Sequence, residues 1–160
     1  MSTLYAGIGE LVVSRDPQVE LKTMALGSCV GVIVMDPATR SAGLLHVALP
    51  ESSINPERAK RSPGSFADTG VPALLNAMRK LGWTGGRLVV KLAGGASILD
   101  PNNTFNIGKR NLLAVRRVLW EHRLAPLAEE TGDTVSRTVV VSLATGKVRI
   151  ITPGREDHHL

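Results

Sequence analysis

Short apolar runs separated by turn residues fill the first half of the chain, and a helical period takes over in the second. Residues 4–13 are apolar positions broken by Gly7 and Gly9, and Arg15-Asp16-Pro17 then makes a turn. Residues 19–24 read Val, Glu, Leu, Lys, Thr, Met, a period of two that suits a half-exposed strand. Gly27-Ser28-Cys29 follows as a tight element, and residues 30–35 form a β-branched run of strand length. Asp36-Pro37-Ala38-Thr39 is a turn signal ahead of a second apolar run at 43–49, so the two runs predict a hairpin with loop 36–42. Residues 50–65 are polar and carry Pro50, Pro56 and Pro63, which predicts a mobile surface loop.

Beyond that loop, Val71, Leu74, Leu75, Met78 and Leu81 recur at three-to-four spacing and predict a helix over 68–81, closed by Gly82. Pro72 suits only a first turn, which sets the expected start near Thr69 or Gly70. Residues 87–93 predict a strand that runs into Gly94-Gly95. The longest helical pattern spans 106–122, with Asn106 as N-cap and Leu112, Val115, Val118 and Leu119 inward. Residues 138–143 and 147–151 flank Thr145-Gly146 as a second hairpin. The elements together describe a mixed α/β chain of the α+β type.

A length of 160 residues fits one domain, expected over 1–152, with a polar C-terminal tail at 153–160. Hydrophobic residues at 43% and charged residues at 21% suffice for a buried core and exclude disorder over most of the chain. A single cysteine excludes an intramolecular disulfide framework and a thiolate-rich zinc site. No basic segment with a long apolar stretch opens the chain, and no apolar run approaches the roughly 18 residues of a membrane span. These features predict a soluble cytoplasmic protein without membrane insertion. The net charge of +5 favours an acidic partner. Nucleic acid is disfavoured, because two Trp, two Phe and one Tyr offer little stacking surface.

Three side chains carry the candidate chemistry. Cys29 follows Gly27 and Ser28, whose backbone can turn sharply, and nearby N–H groups would lower the thiol pKa; the plain alternative is a small buried hydrophobe. His46 lies in an apolar strand, where it is either a satisfied core residue or a general base. A hairpin centred near residue 39 pairs position 29 near 49, so a small offset brings His46 alongside Cys29. Thr23, six residues before Cys29, is either an ordinary strand threonine or the group that orients the imidazole. Gly94-Gly95 is either an anion-binding nest or a site of close backbone packing. Lys109, Arg110, Arg116, Arg117 and Arg123 give the long helix a basic face, either solvated or used in docking.

Thr23-x-x-x-Gly27-Ser28-Cys29-Val30, Leu45-His46-Val47-x-Leu49-Pro50, Phe66-Ala67-Asp68-Thr69, Lys91-Leu92-Ala93-Gly94-Gly95-Ala96 and Asn106-Ile107-Gly108-x-Arg110-Asn111 follow one another in the chain. This ordered set resembles CheD, the chemoreceptor glutamine deamidase family of bacterial and archaeal chemotaxis, over about residues 5–150. The resemblance implies a β-sandwich-like core of mixed sheets flanked by helices, related to deamidating-toxin cysteine hydrolases. It implies catalytic Cys29, His46 and Thr23, with Gly27 and Ser28 supporting substrate or oxyanion, and neither metal nor cofactor. Its expected partners are the cytoplasmic helices of chemoreceptors and a CheC-type response-regulator phosphatase. The alternative it leaves open is a regulatory module that binds and stimulates that phosphatase, with weak catalysis.

Overall fold

The period-two segment forms strand β3 (Val19–Leu26), whose Val19, Leu21 and Thr23 are buried while Glu20 and Lys22 stay partly exposed. A computed structural model describes residues 1–98 and 105–160. β3 belongs to a sheet ordered β1 (Ser2–Tyr5), β3, β8 (Arg137–Ser142), β9 (Val148–Ile151), β10 (His158–His159), antiparallel except at β1/β3. A second sheet is ordered β2 (Leu11–Ser14), β5 (Ser41–Val47), β4 (Val30–Asp36), β6 (Val89–Gly94), β7 (Ala128–Thr131), antiparallel except at β6/β7.

Two apolar layers hold these sheets. Leu21, Ile33, Leu44, Val139, Val141 and Ile150 pack between them. Val32, Val34, Leu45 and Val47 face the other way, against the apolar stripes of the two long helices, residues 67–80 and 107–121. The order is therefore sheet, sheet, helices, in agreement with the expected mixed sheets flanked by helices. β4 and β5 are covered on both faces and buried at nearly every position. That double burial is why they read as continuous apolar runs and not as alternating ones.

The predicted hairpin is present with a tighter turn. Asp36 pairs with Ser41 and Gly31 with His46, which places residue 29 opposite 48. The Asp36 carboxylate accepts from the Ala38 N–H (3.0 Å) and the Thr39 hydroxyl (2.7 Å), closing the turn from within.

Residues 50–65 are not the expected mobile loop. They form 3-10 turns at Ser52–Ile54 and Pro63–Ser65 around helix α1 (Pro56–Arg61). Pro56 and Pro63 each stand at a first helical turn, where a missing N–H costs nothing. Asp68 fastens the segment, accepting from Ser52 N (2.9 Å) and Ser52 Oγ (2.7 Å). Helix α2 (Ala67–Lys80) starts earlier than expected, because Phe66 bridges to Leu49 and the Ala67 N–H donates to the Leu49 carbonyl. Pro72 thus lies inside the helix. Helix α3 (Ile107–Glu121) matches its predicted span within a residue at each end. Asn106 occupies its N-cap position in the left-handed region (φ 53) and its side chain does not cap the helix. The polar C-terminal residues fold back as β10, and the Leu160 N–H donates to the Val148 carbonyl.

Candidate active site

His46 reaches into the gap between the sheets from β5, and Thr23 meets it from β3 on the opposite sheet. His46 Nδ1 and Thr23 Oγ1 are 2.7 Å apart, and both residues are almost wholly buried. The same hydroxyl donates to the Ala6 carbonyl at 2.6 Å. A threonine hydroxyl has one proton, and here it goes to that carbonyl. The ring must then donate Nδ1–H to Oγ1, which leaves the Nε2 lone pair free to accept a proton. Burial lowers the His46 pKa below its ordinary 6.5, with the Ala6 carbonyl and the Glu10 carboxylate opposing it. The imidazole is neutral at neutral pH.

Cys29 immediately precedes β4 and lies two residues before Gly31, the cross-strand partner of His46. Its side chain packs against the inter-sheet cluster, the side His46 also faces. The thiol is half-buried and lines a cavity of about 440 Å³ with Gly27, Ser28, Ala96, Ile98 and Phe105. Burial pushes its pKa above the ordinary 9.0, and the Arg58 charge only partly offsets this. The expected low-pKa thiolate is thus replaced by a protonated thiol, on the same inter-sheet side as the neutral imidazole. Iodoacetamide should label Cys29 more slowly at pH 7 than it labels free cysteine, with the rate still rising as pH passes 9.0. Labelling faster than free cysteine at pH 7 would contradict the burial argument.

Three consecutive carbonyls of the cysteine turn are tied down. Gly27 O accepts from Ala96 N (2.8 Å), Ser28 O from Asn111 Nδ2 (2.9 Å) and Cys29 O from Gly95 N (2.9 Å). Gly94-Gly95 serves this close packing. A Cβ on Gly94, at φ 104, would lie 2.2 Å from the Cys29 carbonyl oxygen, and one on Gly108 would lie 2.5 Å from Gly95 O. Gly94→Ala should therefore cost about 2 kcal/mol or more in urea unfolding and displace the Cys29 backbone. Unchanged stability and activity would show that the turn yields easily.

Asn111 and Arg58 were not singled out by the sequence reading. Asn111 lay inside a recognised motif, but nothing in its spacing distinguished its amide. The basic face of α3 is partly committed to ion pairs: Arg116 with Glu129 (2.9 Å) and Arg117 with Glu51 (3.6 Å). Lys109 and Arg110 are exposed at the end nearest the cysteine cavity, which Ile107 and Gly108 help to line. Among the described residues no group of three or more His, Cys, Asp or Glu is placed to hold a metal ion. No described helix is long and apolar enough to cross a membrane.

The solved structure of a Neisseria meningitidis protein of the DUF152 family is similar in fold, with a TM-score of 0.50 at 13% identity, covering 84% of this chain and 65% of that one. The family model for CheD chemotactic sensory transduction matches residues 48–152. The chain is 50% identical over 157 residues to the probable chemoreceptor glutamine deamidase CheD of Syntrophotalea carbinolica, covering 97% of each. It is 39% identical over 144 residues to the chemoreceptor glutamine deamidase CheD of Thermotoga maritima, covering 90% of this chain and 88% of that protein. The matched model begins just after His46, but the alignment to the first relative spans 97% of the chain, and on both grounds the chain belongs to the CheD family.

Proposed function

We propose that this chain hydrolyses glutamine side-chain amides of chemoreceptors to glutamate, with Cys29 as nucleophile, His46 as base and acid, and Thr23 as the group that orients the ring. The observation that carries the reading is the Thr23–His46 bond between the two sheets, which leaves Nε2 as the ring's free base on the side that Cys29 shares. Nε2 takes the thiol proton, and sulfur attacks the carboxamide carbon as the carbonyl π pair moves to oxygen. The oxyanion collapses, the C–N bond breaks, and the imidazolium gives its proton to the departing ammonia. Water, deprotonated by Nε2, then opens the thioester to glutamate and restores the thiol. Gly27 and Ser28 contribute backbone to the wall around the oxyanion.

The mouth of the site suits an amphipathic receptor helix. Tyr5, Ile8 and Met24 are exposed beside His46, and Ile98 and Phe105 are exposed beside Cys29. Lys109, Arg110 and the Arg58 charge would attract acidic residues of such a helix. A cytoplasmic location and a CheC-type phosphatase as second partner belong to the same proposal and rest on the family resemblance. Mass spectrometry of receptor fragments incubated with the protein tests the reaction, since each converted amide gains about one mass unit. Fragments left unmodified by the wild type would remove the deamidase reading.

A further inference from the structure

We propose that Asn111 is a positioning residue for the oxyanion site. Its amide fixes the Ser28–Cys29 peptide so that the Cys29 N–H is presented to the developing negative charge. The inference rests on the deamidase reading above.

Asn111 projects from the first turns of α3 and is completely buried. Its two amide protons are divided between two carbonyls: Ser28 O at 2.9 Å and Ala48 O at 3.0 Å. One acceptor is in the turn that carries the nucleophile. The other is two residues beyond His46, just after β5. A single side chain therefore ties both reacting segments to the helix. The amide orientation is set by its partners, because the flipped form would press Oδ1 against two carbonyl oxygens. The correct form leaves Oδ1 buried without a partner among the described residues. Such an orphaned oxygen is unfavourable, and what this residue supplies in return is its two donors.

A trans peptide points its N–H opposite its C=O. With the Ser28 carbonyl gripped by Asn111, the Cys29 N–H is turned away from the helix side chain. It has no acceptor among the described residues. It belongs to the residue that attacks, so it lies beside the oxygen of any carboxamide carbon bonded to Sγ. Gly95 and Gly108 allow this arrangement, since any side chain at either would push α3 away from the turn.

The test separates oxyanion chemistry from thiol placement. Deamidation develops charge on an oxygen, whereas alkylation by iodoacetamide is a displacement at carbon that develops none. Asn111→Ala and Asn111→Leu remove both donors, and leucine keeps the volume and branching of asparagine. For either folded variant, kcat on a receptor fragment should fall about 10²-fold with KM little changed. The iodoacetamide rate of Cys29 should stay within about twofold of wild type. Parallel loss of deamidation and alkylation would make Asn111 a general support of the cysteine and overturn the proposal. So would unimpaired kcat, or loss of the fold in both variants. Wild-type protein inactive on receptor fragments would remove the deamidase reading and this inference with it. An active wild type with equally active variants would remove this inference alone.

Discussion

Cys29→Ala is expected to lower glutamine deamidation by at least about 10⁴-fold while the fold persists. The truncation deletes one sulfur from a half-buried position at the edge of the inter-sheet cluster. The turn itself is held by bonds to its carbonyls from the Ala96 and Gly95 N–H groups and the Asn111 side-chain amide, none of which uses the thiol. Melting and far-UV circular dichroism should stay near wild type, so lost activity reports lost chemistry. Cys29 is the chain's one thiol, and no other cysteine can substitute for it. Mass spectrometry of receptor fragments is the measurement. A fully active alanine variant would end the cysteine-hydrolase reading. The same variant should still bind receptor, because it keeps the Tyr5, Ile8, Met24 and Phe105 surface around the mouth.

His46→Ala should cost nearly as much, on the order of 10³–10⁴-fold, and adding it to Cys29→Ala should cost little more, because the two act as a unit. In the proposed mechanism His46 acts as base only when neutral. Protonation blocks transfer from the thiol, so activity falls as pH drops through the lowered His46 pKa, and the acid limb lies below 6.5. Above the raised thiol pKa the proton needed by the leaving ammonia is gone, so the alkaline limb lies above 9.0. The profile of kcat/KM is then a broad plateau across neutral pH. A single narrow optimum, or an acid limb well above 6.5, would contradict a neutral thiol–imidazole pair. Thr23→Val should be milder than His46→Ala, since the Ala6 carbonyl remains beside the ring as an acceptor for Nδ1–H. A larger loss in Thr23→Val would reverse the assigned roles.

Local signals in the sequence make much of this arrangement readable. The β4–β5 hairpin was legible because a turn motif separates two apolar runs, and its register came within one residue of that observed. That register sets His46 opposite Gly31, two residues beyond Cys29. The Thr23–His46 bond was not legible from pattern, because it crosses between sheets that the sequence does not order. Thr23 entered through family resemblance, and alternation alone marked it as an ordinary strand position. β7 was missed because Ala-Glu-Glu-Thr is short and polar, and it is a strand only through parallel pairing with β6. Residues 50–65 were misread because their prolines suggested a loop; each helical proline instead opens a short helix, and the binding of Ser52 by Asp68 sets the segment's place. Asn111 gave no signal, since its importance lies in two carbonyls distant in sequence.

The imidazole belongs to one sheet and the hydroxyl that steers it to the other, so competence and architecture are coupled. A slip of the two sheets past one another, too small to expose the core, would part Oγ1 from Nδ1 and release the ring from the tautomer that leaves Nε2 bare. The Thr23–His46 contact thus acts as a gauge of how the sandwich is seated. A protein that bears on Tyr5 and Met24, both on the hydroxyl's sheet, and shifts that sheet against the other would set the reaction rate without touching Cys29.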